Sequence, residues 1–233
     1  HLQRADLMIL FSRLVTLPDE QIRHVIEYVD SGKPIVAIRT ANHGFLDNFP
    51  YTIGGKPVRF GEDVLGGAFR SHHGNWHADS TRGILVAEQL QHPILRGVDD
   101  IWGPSDVYRT YPENGNLPAD CTALVEGQPL LGRNHDAAPN PEKAALPVAW
   151  TKLWKTSTGK HARVFHVTMG SARDFQSGGL RRLTVNAVYW CLGMEAQIVA
   201  DCSVDLVGPY EPLDTGFDYA ALGVVPKPPA AYR

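Results

Sequence analysis

Pro34-Ile-Val-Ala-Ile38, running directly into Arg39-Thr-Ala-Asn-His-Gly44, is the stretch on which the fold turns. Ile35, Val36 and Ile38 are β-branched and no polar residue interrupts them, the pattern of a strand buried on both faces. Residues 5–11 form a second short apolar run, also of buried-strand character. Between the two runs, Pro18 suits the first turn of a helix, and Asp19 and Glu20 suit its positive end. Ile22, Val25, Ile26 and Val29 recur at i, i+3, i+4 and i+7, and Gly32 is placed to stop the helix. Strand, helix and strand with short connections imply a right-handed parallel crossover.

Downstream of Arg39 the periodicity vanishes until about Ser80, in a stretch rich in Gly, His, Asn, Phe and Arg. An irregular region of that length inside a domain is usually functional or mobile rather than idle. Residues 83–88 and 122–126 read as further strands, and residues 132–146 as an exposed polar loop. Residues 147–150 and 163–169 are two more strands, joined by a hairpin through 156–160. A last helix spans roughly 180–192, with Leu180, Leu183, Ala187, Trp190 and Cys191 on one face and Gly193 at its end. The Pro-rich remainder reads as a tail on the domain surface.

The chain has 233 residues, 43% hydrophobic and 20% charged, ordinary for one globular domain. Its net charge of −3 offers no field for nucleic acid or an anionic membrane, so neither is an expected partner. No apolar run approaches the ~20 residues that cross a bilayer. The chain opens at His1 with no basic-then-apolar leader. Three cysteines without a CxxC pair argue for buried structural thiols over a disulfide framework or a cysteine zinc site.

Four groups of residues can carry chemistry. The first is the turn after the 34–38 strand, because sites in open sheets gather at strand carboxyl ends. Ala37-Ile-Arg-Thr-Ala41 falls in register with the nucleophile turn of class I glutamine amidotransferases, with Arg39 where their Cys would stand. A permanently charged guanidinium cannot serve as that nucleophile, so amidotransferase chemistry is not expected. The second is Gly66-Gly-Ala-Phe-Arg-Ser-His-His-Gly74, followed by His77. Imidazoles are common metal ligands and the acid/base groups best matched to neutral pH. An equal alternative is a polar loop whose imidazoles bond to backbone. The third is Trp102-Gly-Pro-Ser-Asp-Val-Tyr108, where Asp106 could orient an imidazole and Tyr108 could bond a polyol; taken alone, an Asx turn beside a core aromatic is the simpler reading. In the fourth, Ser171 either caps the following segment or faces the site, and capping is the simpler role. His24 and His166 read as structural or surface residues.

Taken in order, these segments resemble the ThuA-like trehalose-utilisation family. The resemblance rests on Ile38-Arg-Thr-Ala-Asn-His43, Gly66-Gly-x-Phe-x-x-His72-His-Gly74, His92-Pro-Ile-Leu-Arg-Gly97, Trp102-Gly-Pro-Ser-Asp-Val-Tyr108, Pro147-Val-Ala-Trp-Thr151 and Val188-Tyr-Trp-Cys-Leu-Gly-Met-Glu195. It implies an α/β fold of class I glutamine amidotransferase type: a flavodoxin-like three-layer sandwich with a mainly parallel sheet and long loops at the strand carboxyl ends. The domain would span 1–202, with a C-terminal extension over 203–233 wrapping it.

The same resemblance implies a bacterial enzyme of carbohydrate catabolism, acting on a trehalose-type disaccharide or keto-sugar as a hydrolase, lyase or isomerase. The alternative is a non-catalytic carbohydrate-binding or accessory domain. His43 and His72 would be acid/base groups, supported by His73 and Asp106. Arg39, Asn42, Arg70, Tyr108 and Ser171 would contact the sugar. His72 and His73 are the candidate ligands of a divalent metal such as zinc. This chain has Gly170-Ser171 where many members carry His, and Ser105-Asp106-Val107-Tyr108 where others have Asp-Glu-x-Tyr, so a metal site built on those residues would lose ligands. A homo-oligomer is compatible with the pattern. The family's usual first strand and helix are not present before residues 5–11, so the N-terminal region reads as incomplete, and a cytoplasmic or periplasmic location fits equally.

Overall fold

The strand, helix and strand expected at the start are β1 (Met8–Leu10), α1 (Asp19–Asp30) and β2 (Ile35–Ile38), with β1 and β2 paired in parallel. They come from a computed structural model that describes residues 2–46, 49–110, 117–214, 223 and 225. Gly32 follows α1 at φ +81°, a left-handed turn that lets the chain reverse into β2. β2 is buried at every position, as its sequence requires, but β1 is an edge strand, and its Ile9 is 57% exposed rather than buried.

The remaining strands are β3 (Thr52–Ile53), β4 (Lys56–Pro57), β5 (Phe69–His72), β6 (Ser80–Leu85), β7 (Trp102–Gly103), β8 (Tyr108–Thr110), β9 (Cys121–Leu130), β10 (Leu146–Lys155) and β11 (His161–Val167). Seven of these eleven described strands form one sheet in the order β1-β2-β11-β10-β9-β6-β7. The expectation of a mainly parallel sheet is corrected here. Only β1 with β2 and β2 with β11 pair in parallel, whereas the pairs from β11 through β10, β9 and β6 to β7 are antiparallel. The physical reason is connectivity: each parallel pair needs a long crossover, normally a helix. Among the described residues, the long helices are α1 and α2 (Gly178–Cys191), so the second half of the sheet is built from antiparallel returns such as the β10–β11 hairpin.

Alternation along β2 divides the core. Ile35 and Ala37 join Tyr28 and Val29 of α1 in one apolar cluster; Val36 and Ile38 join Leu180, Leu183 and Ala187 of α2 in the other. Trp150 and Phe165, both fully buried, anchor the middle of the sheet, each worth about 1.5–3 kcal/mol by burial. The three cysteines are free thiols. No described helix is long and apolar enough to cross a membrane. Of the extension placed at 203–233, residues 203–214, 223 and 225 are described and lie in neither helix nor strand. The surface tail read at its Pro-rich end lies outside the described residues.

Candidate functional site

Because β1, β2 and β11 run the same way, the segments leaving β2 and β11 meet at one edge of the sheet. Arg39 follows β2 directly, and Thr168-Met-Gly-Ser171 follows β11. The turn at Arg39 is strained: its φ is +49°, left-handed for a residue with a β-carbon. Its guanidinium, only 6% exposed, compensates. Nη1 donates to the main-chain carbonyls of Asp106 at 2.8 Å and Thr168 at 2.7 Å, and Nη2 donates to Asp106 Oδ1 at 3.1 Å. Its plane also lies 3.8 Å from the centroid of the Tyr108 ring.

A two-stranded ribbon delivers the partners. β5 and β8 pair antiparallel with His72 opposite Tyr108, which brings Asp106, just before β8, beside the His72 ring. Asp106 is 2% exposed and its Oδ2 lies 2.7 Å from His72 Nδ1. Against an ionised carboxylate, which can only accept, Nδ1 carries the proton, so the neutral ring keeps its lone pair on Nε2. Gly74 makes the approach possible, since a β-carbon there would lie 2.9 Å from Asp106 Cβ. The His72 side chain remains 37% exposed and stacks against Trp76, with ring centroids 5.5 Å apart and planes at 26°. Trp76 is itself 62% exposed, an unusual place for a large aromatic.

A narrow pocket lies beside Asp106 and Trp76, with a cavity of ≈ 20 Å³, about the room of one water molecule, and His72 itself is not on its wall. Its walls include Arg39, Asp106, Trp76, His77, Ser105, Arg133, Ser171 and Asp214. Asp174, fully buried, holds two of the walls: it accepts from Ser105 N and the Ser105 hydroxyl on one side, and from Gly170 N and Ser171 N on the other.

His43 belongs to a different cavity. It lines a cleft of ≈ 370 Å³ with Asn42, Phe45, Phe49, Phe60 and Phe69, among others. Its Nδ1 lies 2.8 Å from Asn42 Oδ1, and burial, then Arg13, Arg39 and His72, push its pKa down to about 4. Asn42 Nδ2 is buried without a hydrogen-bond partner among the described residues. Phe69 and Tyr108 stand between His43 and His72, each ring contacting both. Burial also raises the Tyr108 pKa, with Arg39 opposing.

The structure therefore unites Arg39, Asp106, His72, Tyr108 and Ser171, and sets His43 with Asn42 one ring away. It does not bring His73 to them. His73 Nε2 sits 2.8 Å from the Ala144 carbonyl and must carry the proton, which leaves Nδ1 to accept from Arg109 Nη2 at 3.2 Å. Both ring nitrogens are thus engaged, and no lone pair remains for a metal. Among the described residues no three His, Cys, Asp or Glu side chains converge as a cation would need, so the donor set does not fit the divalent metal considered for His72 and His73. Of the expected site residues, Arg70, His72, His73 and Tyr108 line neither cavity. His166 is the buried structural histidine it was expected to be, with Nδ1 2.9 Å from the Ala37 carbonyl. Trp76, Arg133 and Asp174 escaped the sequence reading. Asp174 had a readable signal, since Ser171-Ala-Arg-Asp174 has capping-box spacing, and Trp76 stands four residues after His72.

Comparison with known proteins adds three findings. The family model for trehalose utilisation, ThuA, matches residues 1–191. A solved ThuA-like protein from Bacteroides uniformis superposes with a TM-score of 0.52 at 16% identity, covering 82% of this chain and 70% of that one. Another from Parabacteroides merdae gives 0.53 at 15% identity, covering 82% and 72%. At such identity the likeness speaks to the fold. No curated protein matches the chain.

Proposed function

The chain belongs to the ThuA trehalose-utilisation family, and from that premise we propose that it is a sugar-processing enzyme with His72 as its acid/base group. The observation that carries this reading is one buried carboxylate, Asp106, bonded to Arg39 on one side and to the half-exposed, Trp76-stacked His72 on the other. In that arrangement Asp106 fixes the tautomer and balances the imidazolium when His72 takes a proton at Nε2 from a sugar hydroxyl. Arg39 holds Asp106 in place. Trp76 offers an apolar face to the C–H face of a sugar ring, while the hydroxyls meet polar walls such as Ser171. Tyr108 separates this face from His43, which is neutral at pH 7 and accepts hydrogen bonds through Nε2 from a ligand in the larger cleft. A trehalose-type disaccharide or keto-sugar is the substrate class, with hydrolysis, elimination or isomerisation as the reaction. Packing of helices against both faces of the sheet supports a flavodoxin-like, three-layer ancestry for the fold.

Incubating wild type, His72→Ala and Asp106→Asn with trehalose and 3-keto disaccharides, with mass spectrometry of the products, tests this. Product formation by wild type, and a drop of roughly 10²–10⁴-fold in His72→Ala, is expected for a lost acid/base group. Unchanged turnover in His72→Ala removes the role. Saturable sugar binding with no product from any variant favours a carbohydrate-binding domain instead.

A further inference from the structure

The pocket lined by Asp106 and Trp76 is too small for a sugar ring, and one of its walls is the carboxylate of Asp214. Arg133 grips Asp214 with both guanidinium arms, Nη1 donating to Oδ2 at 3.1 Å and Nη2 to Oδ1 at 2.9 Å. Arg173 adds a third bond, Nη1 to Oδ2 at 3.0 Å. The arginines come from separate parts of the fold, the loop after β9 and the turn after β11, yet converge on one point at the pocket wall.

The surrounding charge shows what the clamp is suited to. Arg39 and Asp106 neutralise each other within the pocket. Asp174 is the other acid near Arg133, and its oxygens already accept four hydrogen bonds from Ser105, Gly170 and Ser171. Apart from Asp214, the clamp therefore presents two positive charges in the planar fork that suits a carboxylate. Asp214 supplies that carboxylate from an exposed position, its side chain 44% accessible, and exposed ion pairs exchange at little free-energy penalty.

We propose that Arg133 and Arg173 form a carboxylate-binding subsite of the sugar pocket, that Asp214 occupies it as an internal stand-in, and that beyond the neutral sugars named above the pocket takes a sugar acid whose carboxylate displaces Asp214. The sugar half of this statement rests on the function proposed above; the carboxylate half rests on the arginine geometry alone. A ring carried into the clamp by its carboxylate would lie along the wall formed by Trp76, His77 and Ser105, with Trp76 between it and the His72 ring it stacks on.

Titration calorimetry at low salt with glucuronate, glucose and inorganic phosphate, on wild type, Asp214→Ala and Asp214→Ala/Arg173→Ala, tests the subsite. An internal competitor present nine-tenths of the time lowers apparent affinity about ten-fold, so Asp214→Ala should bind glucuronate roughly ten-fold more tightly than wild type. Glucose affinity should not gain, and adding Arg173→Ala should erase the gain for glucuronate. Equal glucuronate affinity in wild type and Asp214→Ala overturns the proposal, as does binding of phosphate without binding of glucuronate. Because the readout is binding, glucuronate capture without turnover of any sugar would leave the subsite standing and remove only the catalytic reading.

Discussion

Replacing Arg39 by Met, alone and together with Asp106→Asn, probes the centre of the site quantitatively. Met keeps a β-carbon, so the strain of the +49° backbone angle is unchanged and the loss reports the guanidinium. The side chain forfeits two bonds to main-chain carbonyls and one to the carboxylate, and Asp106, at 2% exposure, is left as a buried charge without its cation. Breaking a buried pair in this way destabilises by about 3–5 kcal/mol. For a domain of this length each kcal/mol lowers Tm by roughly 2–4 °C, which gives a fall of roughly 6–20 °C. Asp106→Asn strands the arginine in turn. The double variant removes both charges and should unfold at a denaturant concentration well above that expected from the summed single losses, with a coupling of about 2–3 kcal/mol. Urea unfolding of the four proteins gives the cycle. Additivity within about 0.5 kcal/mol would refute the pairing, and so would an unchanged midpoint in Arg39→Met.

Stability should fall with acid before the carboxylates titrate. His43 and His166 have pKa values of about 4 in the folded chain, both lowered chiefly by burial, against about 6.5 when unfolded. Between those values the unfolded chain binds more protons, so the stabilisation is complete above about pH 6.5 and is lost as pH falls toward 4. The slope is at most about 1.4 kcal/mol per pH unit for each histidine, less for the partly exposed His43. Denaturation series at pH 6.5 and 5 check this; His43→Gln should flatten the slope, and pH-independent stability contradicts it. Gly74→Ala places a β-carbon 2.9 Å from Asp106 Cβ, so the ribbon must shift and turnover should drop at least ten-fold with about 1–3 kcal/mol of destabilisation, read by kinetics and melting. Trp76→Ala should change stability by less than about 0.5 kcal/mol yet weaken sugar binding several-fold by calorimetry, because the ring is largely exposed.

The sequence showed its helices and half of its sheet for one reason: those signals are local. Ile22, Val25, Ile26 and Val29 repeat with helical period, and Pro18 and Gly32 bracket them, so β1, α1 and β2 could be read directly. Strand direction is not a local property. Nothing within residues 121–155 records that β9 and β10 return antiparallel, and the mainly parallel sheet is what the family resemblance implies rather than anything those residues show. The site divides in the same way. Arg39 was legible from its place after β2, whereas the His72–Asp106 contact spans 34 residues and depends on the β5–β8 ribbon, whose strands are too short to show a period. His72 and His73 are adjacent in sequence but not in surroundings. In an extended chain adjacent side chains face opposite ways, so one meets Asp106 and the other meets Ala144 and Arg109. Arg133 and Asp214 lie 81 residues apart in polar, aperiodic sequence, where only the fold reveals a clamp.

The account stands on His72 as the group that meets the sugar. Histidine-selective NMR during titration with the best-bound sugar, with the His72 resonance assigned from His72→Gln, observes that group itself. The expected result is an Nδ1–H tautomer for the free protein and a saturable shift of the His72 Nε2 resonance that follows sugar occupancy. A His72 signal that stays still while sugar saturates the protein would contradict it and place the ligand elsewhere.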